Sequence, residues 1–182
     1  VQAVIMFMIM AGGLGFMVWV ELAEYRKKRR LSLHAKVVLQ FSVIFWVGGA
    51  VLLALLEWSN PRTMGGLSVP GKIMAALFQS VSTRTAGMNT IDLAACSPIS
   101  KLLMSVLQFI GAAPGSTGGG VKVTTFAVLI LTIRSVAQGR DDCVIADHHI
   151  ESKTVYRALT IIVIGALAAF GSAVVVYYNT SD

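Results

Sequence analysis

Long apolar runs, separated by short charged, polar or glycine-rich stretches, divide this chain. Residues 1–20, 37–56 and 158–178 are almost unbroken apolar segments of about twenty residues each, the length a helix needs to cross a hydrocarbon layer about 30 Å thick. A shorter apolar segment, residues 71–82 (GKIMAALFQSVS), holds only about two to three helical turns and falls short of that thickness. It runs into Thr83-Arg84-Thr85-Ala86-Gly87, where bare polar backbone is tolerated at membrane depth only if buried in protein or lining a water-filled path. The pattern predicts a re-entrant pore loop that enters and leaves on one side, returning near residues 89–97.

The remaining long run, 98–133, opens with Ser97 as N-cap and Pro98 in the first turn. As one helix it would be about 54 Å long, far beyond the apolar layer. The interruption is expected at Gly111-Ala112-Ala113-Pro114-Gly115-Ser116-Thr117-Gly118-Gly119-Gly120, where glycines and a proline cannot sustain a helix. Lys122, beside this loop, is a charge in the bilayer zone, which by default faces the protein interior or water. Gly48-Gly49 are expected to let helices pack closely, Trp58 to sit in an interfacial belt, and Tyr177-Tyr178 to mark the outer end of the last span.

Charge then sets the orientation. Arg26, Lys27, Lys28, Arg29, Arg30 and Lys36 cluster at the end of the first run, and Arg134, Arg140 and Arg157 in a later polar loop. By the positive-inside rule these segments, 26–36 and 134–157, are cytoplasmic; contact with lipid headgroups would put the basic cluster on the same face. The chain is 55% hydrophobic and 13% charged, with a net charge of +6. Mean hydropathy is +0.75, and a soluble domain would carry about twice the share of charge. The cations flank apolar runs and do not interleave with aromatics, which argues against nucleic-acid binding. The fold expected is an all-α integral membrane protein. No signal peptide is visible, both ends read as cut from something longer, and Cys96 and Cys143 are expected on opposite sides, unbridged.

Three stretches bear on chemistry. In Thr83–Gly87 a glycine permits the strained dihedrals with which backbone carbonyls form a cation filter; Thr85-Ala86-Gly87 matches the start of the potassium-channel TVGYG sequence in kind, with Asn89 where its second glycine would be. A plain buried turn is the alternative. Gly115-Ser-Thr-Gly-Gly-Gly120-Val-Lys122 approaches a phosphate-binding loop, but Val121 separates glycine from lysine and no strand precedes it. Gly12-Gly13-Leu14-Gly15 is not a dinucleotide fingerprint. Asp147-His148-His149 with Glu151 has metal-ligating types, yet adjacent histidines rarely converge on one ion, which favours a solvated loop. No nucleophile–base or paired-carboxylate set points to catalysis, so no enzyme and no covalent cofactor is expected.

The pair FQSVSTRTAGMNTIDL (78–93) and GAAPGSTGGGVKVTT (111–125), in this order, resembles the Trk/Ktr/HKT superfamily of potassium transporters, most of all the bacterial KtrB membrane subunits. The resemblance spans essentially the whole chain. It implies four covalently joined M1–pore–M2 repeats. Residues 1–25 would end repeat two, 37–133 would form repeat three (M1 37–58, pore helix 71–82, filter 83–87, broken M2 98–133), and 158–178 would open repeat four. By resemblance, Gly87 is the filter glycine, Thr83, Thr85, Ala86 and Gly87 face the ion, and the carbonyls of Thr85, Ala86 and Gly87 hold K⁺. Gly111, Pro114, Gly115, Ser116, Thr117, Gly118, Gly119 and Gly120 become a gate below the filter, against a passive kink as the alternative. Arg84 is expected behind the filter, in a salt bridge or bonded to pore-loop carbonyls. For Lys122, holding the loop closed, repelling ions and snorkelling all stand open. The resemblance further implies a multi-pass protein of the bacterial plasma membrane, a homodimer on a KtrA-like cytosolic nucleotide-binding ring, and K⁺ transport with Na⁺ as a coupling or activating ion. Because three filter loops are absent, this chain alone is not expected to form a pore; a non-conducting scaffold is the second hypothesis.

Overall fold

The computed structural model describes residues 1–84, 86–139, 144–145, 148–149 and 151–180. In chain order it consists of α1 (Gln2–Gly13), α2 (Phe16–Lys28), α3 (Leu33–Glu57), α4 (Val69–Thr83), α5 (Pro98–Phe109), α6 (Val123–Ala137), the two-residue antiparallel strands β1 (Val144–Ile145) and β2 (His148–His149), and α7 (Ser152–Thr180). The strand pair leaves the all-α class unchanged. The chain forms two compact units, Val1–Val123 and Thr124–Asp182.

In the first unit α3 is the spine. Its buried residues Ala35, Val38, Ser42, Trp46, Gly49, Ala50, Leu53 and Glu57 recur every three or four positions and so share one face. The opposite face exposes Val43, Ile44, Val47, Val51, Leu52 and Leu55. An exposed apolar face on a 25-residue helix, about 37 Å long, suits lipid. Its N-terminus is fixed by Ser32, whose Oγ accepts from the Ala35 N–H at 3.1 Å and donates to the Glu21 carboxylate of α2 at 2.7 Å.

Lipid gives helices no hydrophobic reason to associate, so small residues and hydrogen bonds carry the packing. The α3–α4 contact shows both. Ser80 Oγ of α4 donates to the Trp46 carbonyl at 2.8 Å, with the Phe45 carbonyl 3.2 Å away. A side chain at Gly49 would strike Ser80 Oγ, and its Cβ would lie 2.9 Å from Leu107 of α5. Gly48 meets nothing within 4 Å, so close packing rests on Gly49 alone. One apolar cluster joins Leu14, Val18, Ala35, Val38, Trp46, Val81, Ala113 and Val123; a second joins Ala50, Leu53, Met64, Ala75, Ala76, Ile91, Cys96 and Met104.

Several expected boundaries move. The first run is not one straight helix: α1 and α2 meet at a bend of 96°. Gly15 takes φ +81° there, a left-handed conformation open to glycine. α2 then continues through Tyr25 and Arg26 to Lys28, so the basic cluster begins on a helix. α3 starts at Leu33 instead of residue 37, and α4 covers 69–83 instead of 71–82. α4 remains too short to cross the apolar layer, 15 residues or about 22 Å. The expected break in 98–133 is present, with α5 ending at Phe109 and α6 beginning at Val123. Ser97 caps α5, its Oγ accepting from the Ser100 N–H. α6 runs on to Ala137 and α7 begins at Ser152, which shortens the polar loop expected over 134–157. α7 exposes Ile161, Val163, Ile164, Leu167, Phe170 and Val174–Tyr178; with α3 it is long and apolar enough to cross a membrane.

Candidate ion path and glycine-rich loop

α4 ends where the filter is expected. Thr83 Oγ1 donates back to the Gln79 carbonyl at 2.6 Å, and the Ser82 carbonyl accepts from the N–H groups of Ala86 and Gly87 at 2.9 and 3.2 Å. Ser82 Oγ donates to the Met88 carbonyl, so both ends of the turn are tied to the last turn of α4. Thr85 lies outside the described residues. Gly87 has φ +73°, and a Cβ there would meet nothing within 4 Å. Glycine is required here by backbone conformation, not by lack of space. Thr83, Ala86 and Gly87 line a cavity of about 610 Å³, together with Gln79, Asn89 and a polar stripe on α5 that includes Lys101, Ser105 and Gln108.

The segment 110–122 is a loop whose two ends lie side by side. The Gly111 N–H donates to the Val121 carbonyl at 2.9 Å and the Val121 N–H to the Phe109 carbonyl at 3.0 Å, a parallel bridge. The Val123 N–H reaches the Ala112 carbonyl at 3.2 Å. A Cβ on Gly111 would overlap the Gly119 carbonyl, and one on Gly120, at φ +75°, would come within 2.9 Å of Gly111. Ser116 Oγ closes the tip, donating to the Ala113 carbonyl at 2.5 Å. Lys122 Nζ donates to the Gly118 carbonyl at 2.7 Å.

The loop also docks into the α1–α2 bend. The carbonyls of Gly12 and Gly13, orphaned at the end of α1, accept from the N–H groups of Thr117 at 3.3 Å and Ala113 at 3.0 Å. At the start of α2 the Phe16 N–H donates to the Gly115 carbonyl at 3.2 Å. The broken helix and the loop thus satisfy each other's backbone groups, as interrupted backbone within an apolar layer must be satisfied. A Cβ at Gly15 would strike the Pro114 carbonyl, and one at Gly12 would lie 3.1 Å from Thr117.

Arg84 sits between the end of α4 and the glycine-rich loop. It is 5% exposed. Its Nη2 donates to the Gly111 carbonyl at 2.7 Å and its Nε to the Ile110 carbonyl at 3.4 Å. The guanidinium lies 5.4 Å from the Phe45 ring and 5.9 Å from the Trp46 ring, within cation–π range. This corrects the expectation of a salt bridge or of pore-loop acceptors. Among the described residues no carboxylate pairs with it, and its acceptors are the carbonyls at the end of α5, where a helix dipole favours a cation. It does not line the 610 Å³ cavity.

A second buried charge anchors the far end of α3. Glu57 is fully buried, and its carboxylate accepts from Asn60 Nδ2, Thr63 Oγ1, Ser100 Oγ and the Ser97 N–H at 2.5–2.8 Å. Those donors fasten the loop after α3 and the start of α5 to one point. Cys96, beside them, is buried and unbridged, and burial first, then the Glu57 carboxylate, push its thiol up. Cys143 and Asp147 lie outside the described residues. Among the described residues no three His, Cys, Asp or Glu side chains gather to hold a metal.

The family model for TrkH, cation transport protein, matches residues 1–177. This chain belongs to the TrkH cation transport family. The family comprises transporters, in line with the expectation of no enzyme, and it places the chain in a membrane. The Ktr system potassium uptake protein B of Vibrio alginolyticus is 40% identical over 84% of this chain and 34% of its own length. That of Bacillus subtilis is 32% identical over 93% of this chain and 38% of its own. The potassium/sodium uptake protein NtpJ of Enterococcus hirae is 33% identical over 87% of this chain and 35% of its own. The crystal structure of the potassium transporter TrkH from Vibrio parahaemolyticus shares the fold, with a TM-score of 0.70 over 96% of this chain and 37% of that one, at 22% identity. The chain spans about a third of the length of the curated relatives it matches.

Within this TrkH-family fold, the residues that sequence reasoning missed are Gly12, Gly13, Gly15, Phe16 and Glu57. A signal was present for the first group: three glycines in four positions inside an apolar run mark a discontinuous membrane helix as readily as a packing face. For Glu57 the signal was a lone carboxylate ending an apolar run, followed within reach by Asn60 and Thr63.

Proposed function

We propose that this chain supplies one filter-and-gate repeat of a bacterial potassium uptake transporter. The observation that carries the reading is the filter segment itself. A helix too short to cross the apolar layer ends in a turn with Gly87 in the left-handed region, beside a polar cavity of about 610 Å³. The carbonyls of Thr85, Ala86 and Gly87 serve as K⁺ ligands, completed by equivalent loops from the remaining repeats. Loop 111–120, with Lys122 holding Gly118, acts as the gate below. The composition supports this use, because the loop's glycines can adopt a second conformation at little cost. The relatives' name, Ktr system potassium uptake protein, supports a membrane subunit of a larger system; a homodimer on a cytosolic nucleotide-binding ring is the assembly we propose for it. The basic end of α2 would lie on that side, against anionic lipid. NtpJ, a potassium/sodium uptake protein by name, supports Na⁺ as a coupling or activating ion, and hence symport.

The test is K⁺ uptake in transport-deficient bacteria by the family-length transporter carrying this chain, with and without Pro114–Gly119. The flanking backbone is already paired through Gly111 and Val121, so the shortened loop can close without moving α5. The deletion is expected to raise K⁺ flux and loosen control by the cytosolic partner. A fall in flux with normal assembly would make the loop a passive kink.

A further inference from the structure

The contact between Arg84 and the loop has a consequence of its own, resting on the function proposed above. Arg84 is the C-cap of the pore helix α4, directly after Thr83 and two residues before Ala86 on the cavity wall. Its side chain leaves the cavity and ends on the carbonyls of Ile110 and Gly111. Gly111 is the hinge of the glycine-rich loop. It pairs with Val121, and its Cβ position is filled by the Gly119 carbonyl. One buried side chain therefore joins the residue that starts the filter to the residue from which the loop departs.

We infer that Arg84 is a positioning residue that couples the gate to the filter, so that the loop's state sets ion discrimination. When the loop swings open, Gly111 loses Val121 and Gly119 and shifts. The guanidinium, walled in by Phe45 and Trp46, then loses its shortest bond. A buried charge left without an acceptor is costly, so the α4 C-cap follows the loop and the Ala86 and Gly87 carbonyls are re-aimed. Linkage runs both ways: an ion that settles in the filter favours the loop conformation in which Arg84 is satisfied.

Four versions of the family-length transporter test this: the parent, Arg84→Lys, the Pro114–Gly119 deletion, and both changes together. Lysine keeps the charge and loses the planar fork. The deletion removes the Gly119 carbonyl packed against Gly111 and the Thr117 and Gly115 bonds to the α1–α2 bend, so that on the loop side Gly111 is held by Val121 alone. Uptake of K⁺ relative to Na⁺ is measured for each, with membrane level and elution profile as folding controls. Coupling predicts that the deletion shifts the ratio by at least about fivefold when Arg84 is present and leaves it unchanged in Arg84→Lys. Equal shifts in both backgrounds overturn the inference, while higher flux from the deletion would leave the proposed function standing. Absence of K⁺ uptake by the parent overturns both. Should Arg84→Lys fail to assemble, the parent with Ser116→Cys decides. Its thiol-labelling rate from the cytosolic side is expected to differ at least about fivefold between saturating K⁺ and K⁺-free buffer; an unchanged rate overturns the coupling.

Discussion

At the scale of single residues, the turn after α4 depends on Gly87 for a reason that its surroundings make specific. A side chain there has room, since nothing lies within 4 Å of a Cβ, but φ is +73°. An L-residue in that region costs roughly 1–2 kcal/mol, and the turn can escape by rotating the carbonyls it presents. Gly87→Ser is therefore expected to lower K⁺ over Na⁺ discrimination roughly 5- to 30-fold without loss of assembly, measured as competitive uptake by the family-length transporter. Unchanged discrimination would remove Gly87 from the filter. The residue types were legible: a threonine, a small residue and a glycine after a short apolar helix state the chemistry. The partners of Arg84 were not, because its acceptors are backbone carbonyls 26 and 27 positions away. Backbone carbonyls are present at every residue, so nothing in the local sequence marks these two.

At the scale of elements, the lengths of the apolar runs disclosed α3, α4 and α7, since length alone separates a span from a half-span. The break between α5 and α6 was legible from glycine and proline density. The α1–α2 bend was not, although Gly12, Gly13 and Gly15 lay in view. Glycines in an apolar run serve packing and breakage alike, and only the docked loop, with Phe16 and Gly115 bonded across it, distinguishes the two. Gly48 and Gly49 show the same ambiguity resolved in packing. Gly49→Val would push Ser80 and Leu107 away from α3 and is expected to destabilise the membrane-embedded protein by about 1–3 kcal/mol. Gly48→Val, facing open space, should be close to neutral. Thermal aggregation in detergent checks the pair, and equal losses would contradict the packing assigned to Gly49.

At the scale of the whole molecule, the chain contributes one short helix, α4, that ends in a glycine turn, and one glycine-rich loop, and it spans about a third of its curated relatives. The cavity that Thr83, Ala86 and Gly87 line is open on one side, as a wall of a larger path would be. A ring of carbonyls able to replace an ion's hydration shell needs contributions from several such loops. The central claim is that this chain is one repeat's worth of a potassium path, and K⁺ uptake by transport-deficient bacteria tests it most directly. The account predicts uptake by cells expressing the family-length transporter and none by cells expressing residues 1–182 alone. Uptake by residues 1–182 alone would contradict it, since several copies would then be building the pore that the account assigns to joined repeats.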